Sequence, residues 1–143
     1  MKRNVVFLFI IVLLALAVWQ GYRYFYRAPK DLSTVRAVAI LSTAQLIHAF
    51  ESDSAKANEL YLGKTIAVEG YIKSVDEEEG VTIVLGDPAS MSSVRCSMDT
   101  NRKKEWSTLE KGRQVVIKGN CTGFTSDELL GSDVILNRCV FNL

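Results

Sequence analysis

Thr65-Ile66-Ala67-Val68-Glu69-Gly70-Tyr71-Ile72-Lys73-Ser74-Val75 is the stretch on which the fold turns. Ile66, Val68 and Ile72 recur at even spacing, with Glu69 and Lys73 on the opposite set of positions. Period-two alternation predicts a half-buried strand. Gly70 interrupts it, and a glycine inside a long strand marks a bulge or bend, which a sheet needs in order to curl.

The same period continues downstream. Asp76-Glu77-Glu78-Glu79-Gly80 reads as a charged turn, followed by strands over 81–85 and 93–98. Residues 101–109 have a helical look, with Trp106 and Leu109 three apart. Lys111-Gly112 turns the chain into a fourth strand over 114–121, which contains Gly119. A Gly/Ser/Asp-bearing loop over 122–132 leads to a fifth strand over 133–141. The predicted order is β-β-β-α-β-β, the pattern of an oligonucleotide/oligosaccharide-binding (OB) barrel. Closing the sheet removes its exposed edges, and Trp106 is the expected plug of one barrel end.

Upstream, Ser42 with Gln45 forms a capping-box pattern that predicts a helix carrying Leu46, Ile47 and Phe50 on one face. Ser52-Asp53-Ser54 breaks it and caps a second helix carrying Ala57, Leu60 and Tyr61, which Gly63 ends in a left-handed conformation. His48 is the sole histidine, and no nucleophile or metal set accompanies it.

Several of these residues form a wider pattern. Ala44-Gln45-Leu46, Phe50, Ala57 and Tyr61-Leu62-Gly63-Lys64 run into the alternating stretch, followed by Val94-Arg95-Cys96. Leu109-Glu110-Lys111-Gly112, Val115, Lys118-Gly119-Asn120-Cys121-Thr122-Gly123 and Val134-Ile135-Leu136-Asn137-Arg138-Cys139 complete it. This resembles the tRNA_anti-like family of bacterial OB-fold proteins over roughly Ser42 to Phe141. The resemblance implies an OB barrel behind two short helices, commonly in exported or membrane-attached proteins, with no established catalytic activity. One departure is Ser52-Asp53-Ser54, where the family commonly has an Asn.

The N-terminal segment has another character. Residues 5–19 carry no charge and follow Lys2 and Arg3. Extended to Tyr22, the run would span roughly 27 Å as a helix, close to the ~30 Å hydrocarbon core. Trp19, Tyr22, Tyr24 and Tyr26 suit a headgroup region, where Arg23 and Arg27 can snorkel. A cleaved signal competes with this reading, because Ala15-Leu16-Ala17 has the small-x-small form. That site lies inside the apolar run, with Val18 and Trp19 directly after it. The expectation is therefore a transmembrane signal anchor over 1–26, a linker over 27–41, and an OB domain with its helical lead-in over 42–143. The expected address is the inner membrane, single-pass, with the C-terminal domain in the periplasm.

The chain's net charge is +1, but residues 1–41 carry +5 and the remainder −4. A domain that grips single-stranded nucleic acid needs a cationic groove and stacking rings. The second and third strands offer Thr82, Val84 and Arg95, and Tyr71 and Phe124 are the available rings. These five are the candidate ligand-binding residues. The acidic body argues against nucleic acid as partner, leaving a single-strand or tRNA-type OB domain as the alternative. The expected partners are the membrane, through the N-terminal helix, and an envelope protein or small ligand. No cofactor, catalytic set or metal site is expected. The four carboxylates of 76–79 read as a solvated turn rather than a calcium loop. Cys96, Cys121 and Cys139 contain no C-x-x-C. In a simple hairpin Cys121 would face the region of Asp133, far from Cys139, whereas a Cys96–Cys139 bridge is open because the third and fifth strands neighbour each other. The favoured reading is nevertheless three small buried hydrophobes.

Overall fold

The computed structural model describes residues 2–25, 32–100 and 109–141. Its elements run α1 (Lys2–Phe25), β1 (Ile40–Ser42), α2 (Thr43–Ser52), α3 (Ser54–Tyr61), β2 (Thr65–Asp76), β3 (Thr82–Leu85), β4 (Ser93–Met98), β5 (Gln114–Asp127) and β6 (Gly131–Phe141). The chain divides into two units, Met1–Lys30 and Asp31–Leu143.

In the first unit, α1 takes up the apolar run, and the apolar side chains described between Val6 and Tyr24 are exposed. The Arg23 guanidinium lies over the Trp19 ring at 5.9 Å. The expected helix is thus present, but its expected membrane crossing is not found: among the described residues no helix is long and apolar enough to cross a membrane. The stretch with neither a charge nor a strongly polar side chain, residues 5–19, has fifteen residues. It rises only ~22 Å before Gln20 and Arg23 intervene.

In the second unit, β2 is long enough to pair with two strands in succession. Its first half pairs antiparallel with β5, from Thr65↔Asn120 to Tyr71↔Gln114. Its second half pairs with β3, from Ile72↔Leu85 to Asp76↔Thr82, across an irregularity between Ile72 and Ser74. β3 pairs antiparallel with β4, β4 parallel with β6, and β6 antiparallel with β5. The β2–β5 pairing then closes a five-stranded barrel, so the expected mainly β architecture is present. Gly70 matters for clearance: a Cβ there would lie 2.5 Å from Thr43 Cγ2 at the start of α2.

Two inward rows cross the barrel in register. One is Ile72, Leu85, Val94, Val134 and Phe124; the other is Val75, Ile83, Cys96, Leu136 and Cys121. Leu46, Ile47 and Phe50 of α2 and Ala57 of α3 pack into the same core. The expected plug, Trp106, and the expected helix over 101–108 lie outside the described residues. Leu60 departs from expectation, because it is exposed while its neighbour Tyr61 approaches Phe50 with ring centroids 6.2 Å apart.

The caps follow the sequence. Ser42 Oγ accepts from the Gln45 N–H at 3.2 Å, and Gln45 Oε1 accepts from the Ser42 N–H at 3.0 Å. Asp53 Oδ1 accepts from the Lys56 N–H at 3.0 Å, and Gly63, at φ 74°, follows the end of α3. Ser42→Ala is expected to lower unfolding stability by about 1 kcal/mol, measured by urea denaturation. Gln45→Ala should give a smaller loss, because the residue-45 N–H keeps the Ser42 Oγ as its acceptor.

The stretch expected as a linker is partly built into the barrel. Ile40, Leu41 and Ser42 pair parallel with Ala67, Val68 and Glu69. Leu32, Ala67 and Val140 are buried apart from the main core, and Lys118 Nζ donates to the Ser33 carbonyl at 3.0 Å. Three residues of edge strand are too few to show a period in sequence. The expected loop over 122–132 is also mostly strand, because β5 and β6 pair out to Asp127↔Gly131.

Candidate functional site

The outward residues of the closed sheet form a row of their own. Ser74 pairs with Val84, Val84 with Arg95, Arg95 with Ile135, and Ile135 with Gly123. Period-two alternation puts this row on the face opposite the core. Thr82 joins it one step along β3, paired with Ser97. The structure therefore brings Thr82, Val84 and Arg95 together on one outer face.

It does not bring the two rings there. Phe124 pairs with Val134 in an inward row, and its ring stacks on Phe50 at 5.0 Å with an interplanar angle of 19°. Phe124 is partly buried and packs against the core, because β5 continues through it and the strand's alternation turns it inward. Tyr71 is exposed, on the part of β2 that pairs with β5, and lies on the far side of the irregularity from Ser74. Beside it, Gln114 Nε2 donates to Glu69 Oε1 at 2.7 Å.

Arg95 has a partner that the sequence did not single out. Its Nε donates to Asp133 Oδ2 at 2.8 Å, and the other oxygen, Oδ1, accepts from Ser93 Oγ at 2.5 Å. The Arg95 side chain is 55% exposed and that of Asp133 28%. The parallel β4–β6 pairing sets Ser93 against Asp133 and Arg95 against Ile135. The signal for this contact is the matching Ser-x-Arg and Asp-x-Ile spacing, but it becomes legible only once β4 and β6 are known to be adjacent and parallel.

Two turns flank the face. At the β2–β3 turn, Asp76 Oδ1 accepts from the Glu78 N–H at 3.1 Å, and the carboxylates of residues 76–79 are exposed. At the β5–β6 turn, Asp127 Oδ1 accepts from the N–H groups of Leu129 and Leu130 at 2.8 and 3.0 Å. Chemically, the face offers apolar area from Val84 and Ile135, hydroxyls from Thr82 and Ser97, and a guanidinium whose charge a carboxylate already balances. A phosphate would have to compete with Asp133 for Arg95 and approach past acidic turns.

Away from the face, His48 on α2 lies with Nδ1 3.2 Å from Ser52 Oγ, while that hydroxyl donates to the His48 carbonyl at 2.7 Å. Lys56 and Leu60 line the same shallow groove. Among the described residues no cluster of three or more His, Cys, Asp or Glu is placed to hold a metal ion.

A family model described as tRNA_anti-like matches residues 1–140 of the chain. Among solved structures, a lipoprotein of Klebsiella pneumoniae, provisionally described as nucleic acid-binding, is similar at 19% identity. The likeness covers 72% of this chain and 91% of that one, with a TM-score of 0.57. An OBody, AM3L09, solved bound to hen egg-white lysozyme, is 16% identical over 56% of this chain and 82% of its own, with a TM-score of 0.41. Asparaginyl-tRNA synthetase from Pyrococcus horikoshii is 13% identical over 56% of this chain and 19% of its own, with a TM-score of 0.37. The Klebsiella likeness is one of fold. No curated protein matches the sequence significantly.

Proposed function

Because the chain belongs to the tRNA_anti-like family of OB-fold proteins, we propose that it is a non-catalytic binding module of the bacterial cell envelope. In this reading the barrel face built on β3, β4 and β6 holds a protein segment or a small polar ligand. The observation that carries the choice of ligand class is the Arg95–Asp133 ion pair at 2.8 Å. A cation already balanced by a carboxylate, beside acidic turns, suits an uncharged or mixed-charge partner better than a phosphate backbone.

The attachment is proposed to run through α1, at the inner membrane with the barrel in the periplasm. Its support is the exposed apolar surface of α1, Arg23 beside Trp19 at its C-terminal end, and the lipoprotein nature of the Klebsiella structure. Reporter fusions to the C-terminus test the address. A periplasm-dependent reporter should be active and a cytoplasm-dependent one silent; the reverse result would refute the envelope reading.

The description of the Klebsiella lipoprotein favours a second reading, a nucleic-acid-binding OB domain. Fluorescence anisotropy with single-stranded oligonucleotides at low and moderate salt separates the two. No saturable binding is expected for the full chain in detergent, and binding that weakens steeply with salt would establish the alternative. Asp133→Ala sharpens the comparison, because on the alternative it would free Arg95 and tighten oligonucleotide binding.

A further inference from the structure

Cys96 on β4 and Cys139 on β6 are buried free thiols that an irregularity in the parallel pairing brings within side-chain hydrogen-bond reach of each other. Cys96 pairs with Leu136 and Met98 with Cys139, so β6 uses three steps where β4 uses two. Arg138 absorbs the extra step at φ 55°, and Asn137 and Arg138 are exposed. The chain then returns Cys139 to the core, where it is 1% exposed and Cys96 is 0% exposed. Burial pushes the Cys139 thiol well above its ordinary value, and the neighbouring Cys96 thiol adds to the effect.

Cys121 stands apart. It pairs with Leu136 from the β5 side, whereas Cys96 pairs with Leu136 from the β4 side, so β6 separates the two. Its thiol is raised by its own burial and lowered in part by a hydrogen bond to the Gly123 backbone.

We propose that Cys96 and Cys139 are a disulfide site that cross-links β4 to β6 inside the barrel, leaving Cys121 as the lone thiol. Two S–H bonds break and one S–S bond forms. The two electrons and two protons pass to a disulfide-bearing oxidant, which is reduced to two thiols. Both sulfurs are shut away from any dissolved oxidant once the barrel has closed, so the exchange takes place while the chain is folding. The inference rests on the pairing of β4 with β6 and stands independently of the membrane reading and of the ligand.

The test is refolding of the full chain from denaturant in detergent with a mixture of oxidised and reduced glutathione. Thiols are then counted in denaturant, and the alkylated protein is digested with trypsin. Cleavage after Arg95 and Arg138 gives peptides that begin at Cys96 and Cys139, while Cys121 lies in a third. The expected result is one free thiol instead of three, with the 96–102 and 139–143 peptides linked. Three free thiols, or a link that includes the Cys121 peptide, would overturn the assignment. Cys121→Ser should keep the linked peptide, so a pairing that shifts in this variant also counts against it. Protein folded under reducing conditions should keep all three thiols when given the same oxidant afterwards; rapid oxidation there would overturn the folding-stage timing.

Discussion

Phe50→Ala is expected to lower unfolding stability by about 3–5 kcal/mol, the loss typical of truncating a buried aromatic ring. Phe50 is 1% exposed and, among the described residues, the largest of the fully buried side chains. Its ring stacks on Phe124 at 5.0 Å and meets Tyr61 at 6.2 Å. Truncation removes the ring's own apolar burial and also the aromatic pairing, which alone contributes ~0.5–1.5 kcal/mol. The consequence extends beyond the site. α2 has only ten residues. A helix that short is marginal in water and depends on packing its apolar face. Removing Phe50 therefore weakens the docking of α2 and, through Tyr61, of α3. Urea denaturation checks this through the midpoint. At roughly 4 °C per kcal/mol the thermal midpoint should fall by about 12–20 °C. A loss below ~1 kcal/mol would mean that α2 is not what fills this part of the core. Phe50→Leu should retain much of the stability, because most of the apolar volume remains.

Gly119→Ala is expected to cost about 1–3 kcal/mol, and Gly119→Val more, through overpacking. A Cβ at this position would lie 2.5 Å from Cys139 Sγ and 3.2 Å from Leu136 Cβ. Both neighbours are fully buried, so neither can swing into solvent. The control lies on the same strand: a Cβ at Gly123 would meet only Ile135 Cδ1, at 4.0 Å. Gly123→Ala should therefore be close to neutral. Combining Gly119→Ala with Cys139→Ala should recover most of the loss, since the sulfur is the nearest obstacle. Equal losses for Gly119→Ala and Gly123→Ala would point to a general backbone requirement in β5 and sink the steric account. Gly119 sits at the irregularity between Lys118 and Asn120, where an internal glycine is read in sequence as a bend, and it has a second role. It leaves room for a thiol.

Much of the barrel is legible in the amino-acid sequence. β4 occupies the predicted residues 93–98, and the predicted starts of β2 and β5 hold at Thr65 and Gln114. Alternation survives in sequence because one face of each strand meets the core and the other meets water. The capping box at Ser42 and the cap at Asp53 are readable for a related reason, since each is a contact between residues three apart. The candidate face is readable only in part. Thr82, Val84 and Arg95 stand out because β3 and β4 are joined by a short connection, and their alternation is visible in sequence. The inward turn of Phe124 is not legible because the end of β5 depends on how far β6 accompanies it. Asp133 is missed because its partner lies 38 residues away along the chain.

The sequence alone therefore settles where β2 and β5 begin and where β4 runs, which faces of those strands are apolar, how the two short helices begin, and that the chain resembles its family. Each of these rests on interactions between near neighbours or on a periodicity that water imposes locally. Only the tertiary structure decides that β1 extends the sheet, that Phe124 packs on Phe50, that Asp133 balances Arg95, and that Cys139 returns to the core beside Cys96. These depend on the register between distant strands, and on the extra residue at Arg138 that resets the register of β6. Register is a property of the closed barrel as a whole: a shift of one residue in any strand turns every following side chain to the opposite face.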